Sequence, residues 1–90
     1  MTQDQHESPS DKVRSYCRDQ IIVPARRNSI TTVTIRSGDI HGELGFKNRL
    51  PLVCSALGSK KFEEMARVSR ISIEGPANGA NTKYTFQLRP

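Results

Sequence analysis

Ninety residues with a net charge of +5, 34% hydrophobic residues and no tryptophan describe one small domain with a thin core. That size leaves no room for a second domain, and no apolar run approaches the roughly 18 residues of a membrane span. The basic excess favours an anionic partner and sharpens beyond the acidic start, because residues 12–90 hold 14 basic against six acidic residues, a net of +8.

Met1 to Glu7 have nothing to bury, and residues 1–8 are expected to form a disordered tail ahead of a domain spanning 9–90. Ser8-Pro9-Ser10-Asp11 opens a helix, with Ser8 as cap and Pro9 at the first helical position. Val13, Tyr16, Cys17 and Gln20/Ile21 follow on one stripe, leaving Lys12, Arg14, Arg18 and Asp19 outside. Before Pro24 the helix should end or distort, and Ala25 to Ser29 read as a basic connection. Thr31 to Arg36 alternates like a short strand with Val33 and Ile35 inward. Ser37 can cap the next helix, whose Ile40 and Leu44 face the core with His41 at the core edge or surface. Gly45 ends that helix, and Phe46 plugs the turn.

Asn48 caps the following helix, Pro51 sits in its first turn, and Leu50, Val53, Cys54 and Leu57 share one face. The other face carries Arg49, Leu52, Ser55, Ala56, Ser59 and Lys60. At Gly58 the helix either continues or is recapped by Ser59 for a further turn, KKFEEMA; continuation with a kink is the preferred expectation. Val68 to Glu74 and Lys83 to Leu88 are strands, with Ile71, Ile73, Tyr84, Phe86 and Leu88 inward. The turn-forming loop Gly75–Asn81 joins them. The expected fold is α+β, ordered helix-strand-helix-helix-strand-strand, with three helices and a small antiparallel sheet.

This order resembles the winged helix-turn-helix superfamily of prokaryotic DNA-binding domains over residues 9–90. TIRSGDIHGELGFKNRLPLVCSAL, KKF and GPANGAN look like a group of short archaeal and bacterial winged-helix domains. The resemblance implies that helix 48–60 is the recognition helix and that Gly75–Asn81 is the wing. Unlike in many repressors, no long helix is expected after the last strand to serve as a dimerisation element.

The leading functional expectation is a DNA-binding winged helix, a transcriptional regulator or accessory DNA-binding subunit, which inserts helix 48–60 in the major groove of double-stranded DNA. Lys47, Asn48, Arg49, Leu52, Ser55, Ser59 and Lys60 are its candidate contacts from the helix, and Asn78, Asn81 and Lys83 from the wing. Arg49 suits guanine O6 and N7 or a phosphate, and about 4–6 neutralised phosphates would make binding fall steeply with salt. The alternative is a winged-helix protein-interaction module, motivated by an exposed Leu52 and a weakly basic wing. Either way a monomer or weak homodimer is expected.

No enzyme, cofactor or metal site is expected. His6, His41, Cys17 and Cys54 lack metal-ligand spacing, and Glu63-Glu64 can pair with Lys60-Lys61. The cysteines read as free buried thiols, and the acidic start is not a signal peptide, so the expected location is cytoplasmic.

Overall fold

A computed structural model describes residues 8–89. The domain is α+β, with four helical units packed on a three-stranded antiparallel sheet. The expected tail lies outside the described residues except for Ser8, whose Oγ accepts the Asp11 N–H at 3.1 Å and caps α1 (Pro9–Cys17). Val13 and Cys17 are buried on the inner face of α1, and burial pushes the Cys17 thiol up to about 12. The chain does not leave the helix before Pro24. It widens into a π-helical turn over Arg18–Ile22, where the Val23 N–H reaches back to Arg18 O, and resumes as α2 (Val23–Arg27). Pro24 has no N–H to donate, and the wider turn accommodates the break in the ladder. Ala25 to Arg27 are therefore helical rather than a connection. The Arg26 guanidinium turns inward, donating through one nitrogen to Ala66 O, Arg67 O and Arg89 O at 2.9–3.1 Å.

β1 (Thr32–Arg36) leads into α3 (Ser37–Glu43), then α4 (Leu50–Leu57), α5 (Lys60–Ala66), β2 (Val68–Glu74) and β3 (Lys83–Leu88). The sheet order is β1-β3-β2, with Ile35 opposite Tyr84 and Val33 opposite Phe86. Phe62 of α5 meets Phe86 edge-on, ring centroids 5.2 Å apart, at the centre of the core.

Several expectations for α3, α4 and α5 are corrected. It breaks at Gly58, and Ser59 recaps the chain by accepting the Phe62 N–H at 3.1 Å, so there are four helical units instead of three. The break is favoured because the Ser59 hydroxyl also donates to Ala56 O at 2.7 Å and accepts from Arg14 at 3.3 Å, so its bonding is satisfied outside a continuous helix. Arg14 is accordingly turned inward, not left outside. Asn48 does not cap α4, because it adopts φ 54° in the turn and Arg49 takes the cap position without a side-chain bond. Ser37 does not cap α3, because it is the first helical residue and is fully buried. Ala56 is buried and Leu52 is half-buried against the core, since α4 is wrapped by α1 and α3 as well as the sheet.

Ile71 and Ile73 are exposed instead of inward. Ile73 stands opposite buried Tyr84 and so shares the helix-side face, but helical cover stops short of that end of β2. Ile71 is the extra residue of a bulge between Arg70 and Ser72 and has no partner in β3.

The Asp11 carboxylate joins α1 to α5, accepting from Arg14 at 2.9 Å and Lys61 at 3.1 Å. Arg14 above all, then Lys61 and Ser8, hold it down from 3.8 to about 2. Because the folded-state value is depressed, the stabilisation is present above the ordinary value of 3.8 and is lost as pH falls through about 2. Asp11→Asn should therefore be less stable than wild type at neutral pH and converge with it in acid. Thermal melts across that window test this, and melting curves that stay parallel down to the lowest pH would refute it.

Candidate nucleic-acid interface

The turn between α3 and α4 is built from its backbone outward. At the end of α3, the Phe46 N–H donates to His41 O and the Gly45 N–H to Gly42 O, both at 3.1 Å, with Gly45 at φ 69°. Phe46 packs half-buried against the core, as its place after Gly45 suggested. Lys47, Asn48 and Arg49 then run exposed across the surface. Asn48 reverses the chain in the left-handed region that asparagine tolerates.

His41 holds this turn from the side. Its Nε2 accepts the Arg49 N–H at 3.1 Å, and its ring stands edge-on to Phe46 at 6.1 Å. The Arg49 carbonyl meanwhile accepts the Val53 N–H, which starts α4. No side chain caps α4, and because Pro51 has no N–H and the Val53 N–H is bonded to Arg49 O, only the Leu50 and Leu52 N–H groups remain in its first turn, at the positive end of the helix dipole. Among the described residues neither Lys47 nor Arg49 has a carboxylate partner. The result is a fixed, exposed turn with two free cations at a helix start.

The other expected contacts are dispersed. Ser55 and Pro51 form the exposed strip of α4, and half-buried Leu52 flanks it. Ser59 is engaged as the α5 cap, while exposed Lys60 lies across the helix break, roughly 12 Å of helix from Arg49.

The Gly75–Asn81 loop folds back as a strap. The Ser37 N–H donates to Thr82 O and the Gly38 N–H to Ala80 O, both at 2.9 Å. Gly79 O accepts from Ser37 Oγ at 2.5 Å and from the Cys54 thiol at 3.7 Å, and buried Thr82 donates to Pro76 O. Asn81 Oδ1 accepts from the Arg36 guanidinium at 3.1 and 2.7 Å, while Asp39 pairs with the same group at 2.7 Å. Asn78 sits exposed in the loop at φ 58°, and Lys83 lies in register with Arg36 and Glu74.

Sequence reasoning missed two positioning groups. Arg36 read only as a strand end, although Arg36-x-x-Asp39 has the spacing of an ion pair across a helix start. His41 read as core edge or surface, and its bond to a residue eight positions on has no sequence signal. A cleft of about 270 Å³ lies elsewhere, lined by Arg26, Ser29, Ile30, Thr31, Leu88 and Arg89. Its two arginines already donate to backbone carbonyls, which leaves the exposed turn as the better electrostatic site.

Among the described residues no helix is long and apolar enough to cross a membrane. Compared with family models, curated proteins and solved structures, the chain matches none of them.

Proposed function

We propose that this chain is a winged-helix DNA-binding domain that presents the Lys47–Arg49 turn and the start of α4 to a duplex, as a transcriptional regulator or an accessory DNA-binding subunit. The observation that carries this reading is the pair of unpartnered cations at an uncapped helix start, in a turn fixed by His41 and Phe46. The element order supports it, with α1 and α2 read as one helix and α5 as an appended turn, as does the sheet order β1-β3-β2.

The exposed strip of α4 is short, so the helix meets DNA end-on rather than along its length. Arg49 then reaches a guanine edge or a phosphate, and Lys47 and the Leu50 and Leu52 N–H groups take phosphate oxygens. Ser55 lines the approach, while the strapped loop supports the α3 side and offers Asn78 at its surface.

Anisotropy of a labelled random duplex, titrated from about 50 to 200 mM salt, tests the reading. With roughly four phosphates neutralised, affinity should fall roughly a hundredfold across that range. Absence of binding at the low-salt end would overturn it. A protein-interaction module is the second reading. Its support moves from Leu52, which is half-buried, to the exposed isoleucines of β2.

A further inference from the structure

The cleft lined by Arg26, Ser29, Ile30, Thr31, Leu88 and Arg89 is too small for a duplex, and its walls combine hydrocarbon with two guanidiniums. Its frame is the link from α2 to β1. Ser29 turns the chain at φ 61°, and its N–H donates to Arg26 O at 3.1 Å. The Ile30 N–H then reaches back to Ala25 O at 2.9 Å, and Thr31 O accepts the Leu88 N–H at 2.8 Å. The cleft is therefore formed in advance, as small-molecule sites usually are. Within it Ile30 is still 45% exposed and Leu88 half-buried, so both have apolar surface left for an occupant.

Both guanidiniums are anchored, but neither is neutralised. Arg26 uses one nitrogen on Ala66 O, Arg67 O and Arg89 O, and Arg89 uses one on Glu63 O and Val68 O, all at 2.9–3.1 Å. Those bonds fix the two groups in place. Because a guanidinium carries donors on all its nitrogens, both retain N–H groups without an acceptor. Among the described residues no carboxylate pairs with either arginine, and the Arg26 Nε is buried with no acceptor on its inner side. The C-terminal end of α5, which accepts most of these bonds, supplies roughly half a negative charge against the two positive ones.

We propose that this cleft binds a small organic carboxylate with an apolar body. Its oxygens take the remaining guanidinium N–H groups, with the Ser29 and Thr31 hydroxyls as further donors, and its hydrocarbon lies against Ile30 and Leu88. The paired arginines select an anion, and their planar forks suit a carboxylate. The volume of about 270 Å³ excludes a polymer, and the apolar wall favours an organic acid over a bare inorganic ion.

Hexanoate is the probe, added to the full chain without DNA so that the outcome is independent of duplex binding. In proton–nitrogen correlation spectra the Ile30, Thr31 and Leu88 amides and the Arg26 and Arg89 Nε–H signals should shift saturably, while Lys47 and Arg49 stay in place. Acetate lacks the body and hexan-1-ol lacks the charge, so each should bind at least about tenfold more weakly. Inorganic phosphate, with charge but no body, should also fall below hexanoate. Ile30→Glu sets a carboxylate in the wall and should abolish the shifts, and Arg89→Gln should weaken binding about tenfold.

Thermal melts check that the variants are folded. Arg89 also ties α5 to β2, so if Arg89→Gln unfolds, the exposed position decides through Ile30→Glu. Cleft signals that do not move at tens of millimolar hexanoate overturn the proposal. So do shifts spread equally over Lys47 and Arg49, acetate, phosphate or hexan-1-ol binding as tightly as hexanoate, or a folded Ile30→Glu that binds like wild type.

Discussion

Lys47→Glu/Arg49→Glu is expected to weaken duplex binding about a hundredfold or more at low salt and to lower the salt slope by roughly two. The affinity change follows from losing two charge-assisted contacts of about 1.5–3 kcal/mol each. The slope changes because each phosphate contact contributes about 0.9 to it. Neither side chain has an ion-pair partner within the described chain and both are exposed, so thermal stability should change by no more than about 0.5 kcal/mol. Lys60→Glu supplies the contrast. It removes one of the same charges but lies beyond the helix break, and its effect should be several times smaller. His41→Ala leaves every cation in place yet frees the Arg49 N–H, so it should weaken binding while preserving most of the salt slope. Equal losses from Lys60→Glu and the Lys47/Arg49 variant would point to a diffuse basic surface and remove the turn from its proposed role.

Local chemistry made some of this turn readable in advance. Gly45 takes positive φ, Phe46 packs beneath it, and Val53, Cys54 and Leu57 are buried with the spacing of one helical face. Those features depend on neighbours within a few residues. The misread positions depend on partners far along the chain. Ser59 can continue a helix or recap one, and Arg14, 45 residues away, bonds the recapped hydroxyl. Arg26 looks like a solvated loop residue until the ends of α5 and β3 bring three carbonyls to it. Alternation in β2 assigns Ile73 to the helix-side face, but the extent of the helical layer decides whether that face is covered. Ala56 was placed outside by a two-sided view of α4, whereas packing by α1 and α3 leaves only a narrow strip in solvent.

The strap connects these errors to function. Glycine, proline and asparagine set the local geometry of the Gly75–Asn81 loop, which the resemblance reads as the wing. Its direction is fixed by Arg36, Ser37 and Gly38 at the far end of β1 and the start of α3. Because α3 also supplies His41, the strap and the basic turn lie at opposite ends of one short helix. Loosening the strap should reach the Lys47–Arg49 turn, the proposed DNA contact, through α3 without altering any surface charge.

Two glycines of α3 should therefore respond to the same substitution with opposite sign. A Cβ on Gly38 would meet Ala80 O at 2.7 Å and the Ala80 Cβ at 3.1 Å. The obstructing oxygen belongs to backbone and accepts the Gly38 N–H at 2.9 Å, so the strap must move away and lose that bond. Gly38→Ala is expected to cost about 2 kcal/mol, lowering the thermal midpoint by on the order of 10 °C in a domain of this size. At Gly42 a Cβ meets nothing within 4 Å, so Gly42→Ala should raise stability by up to about 1 kcal/mol through helix propensity. Amide exchange gives the local readout. Gly38→Ala should deprotect Gly38, Gly79 and Thr82 and, through α3, the Arg49 N–H bonded to His41, while Gly42→Ala leaves all four protected. A Gly38→Ala protein as stable as wild type would show that the strap is not held against α3, and the coupling between strap and turn would fall with it.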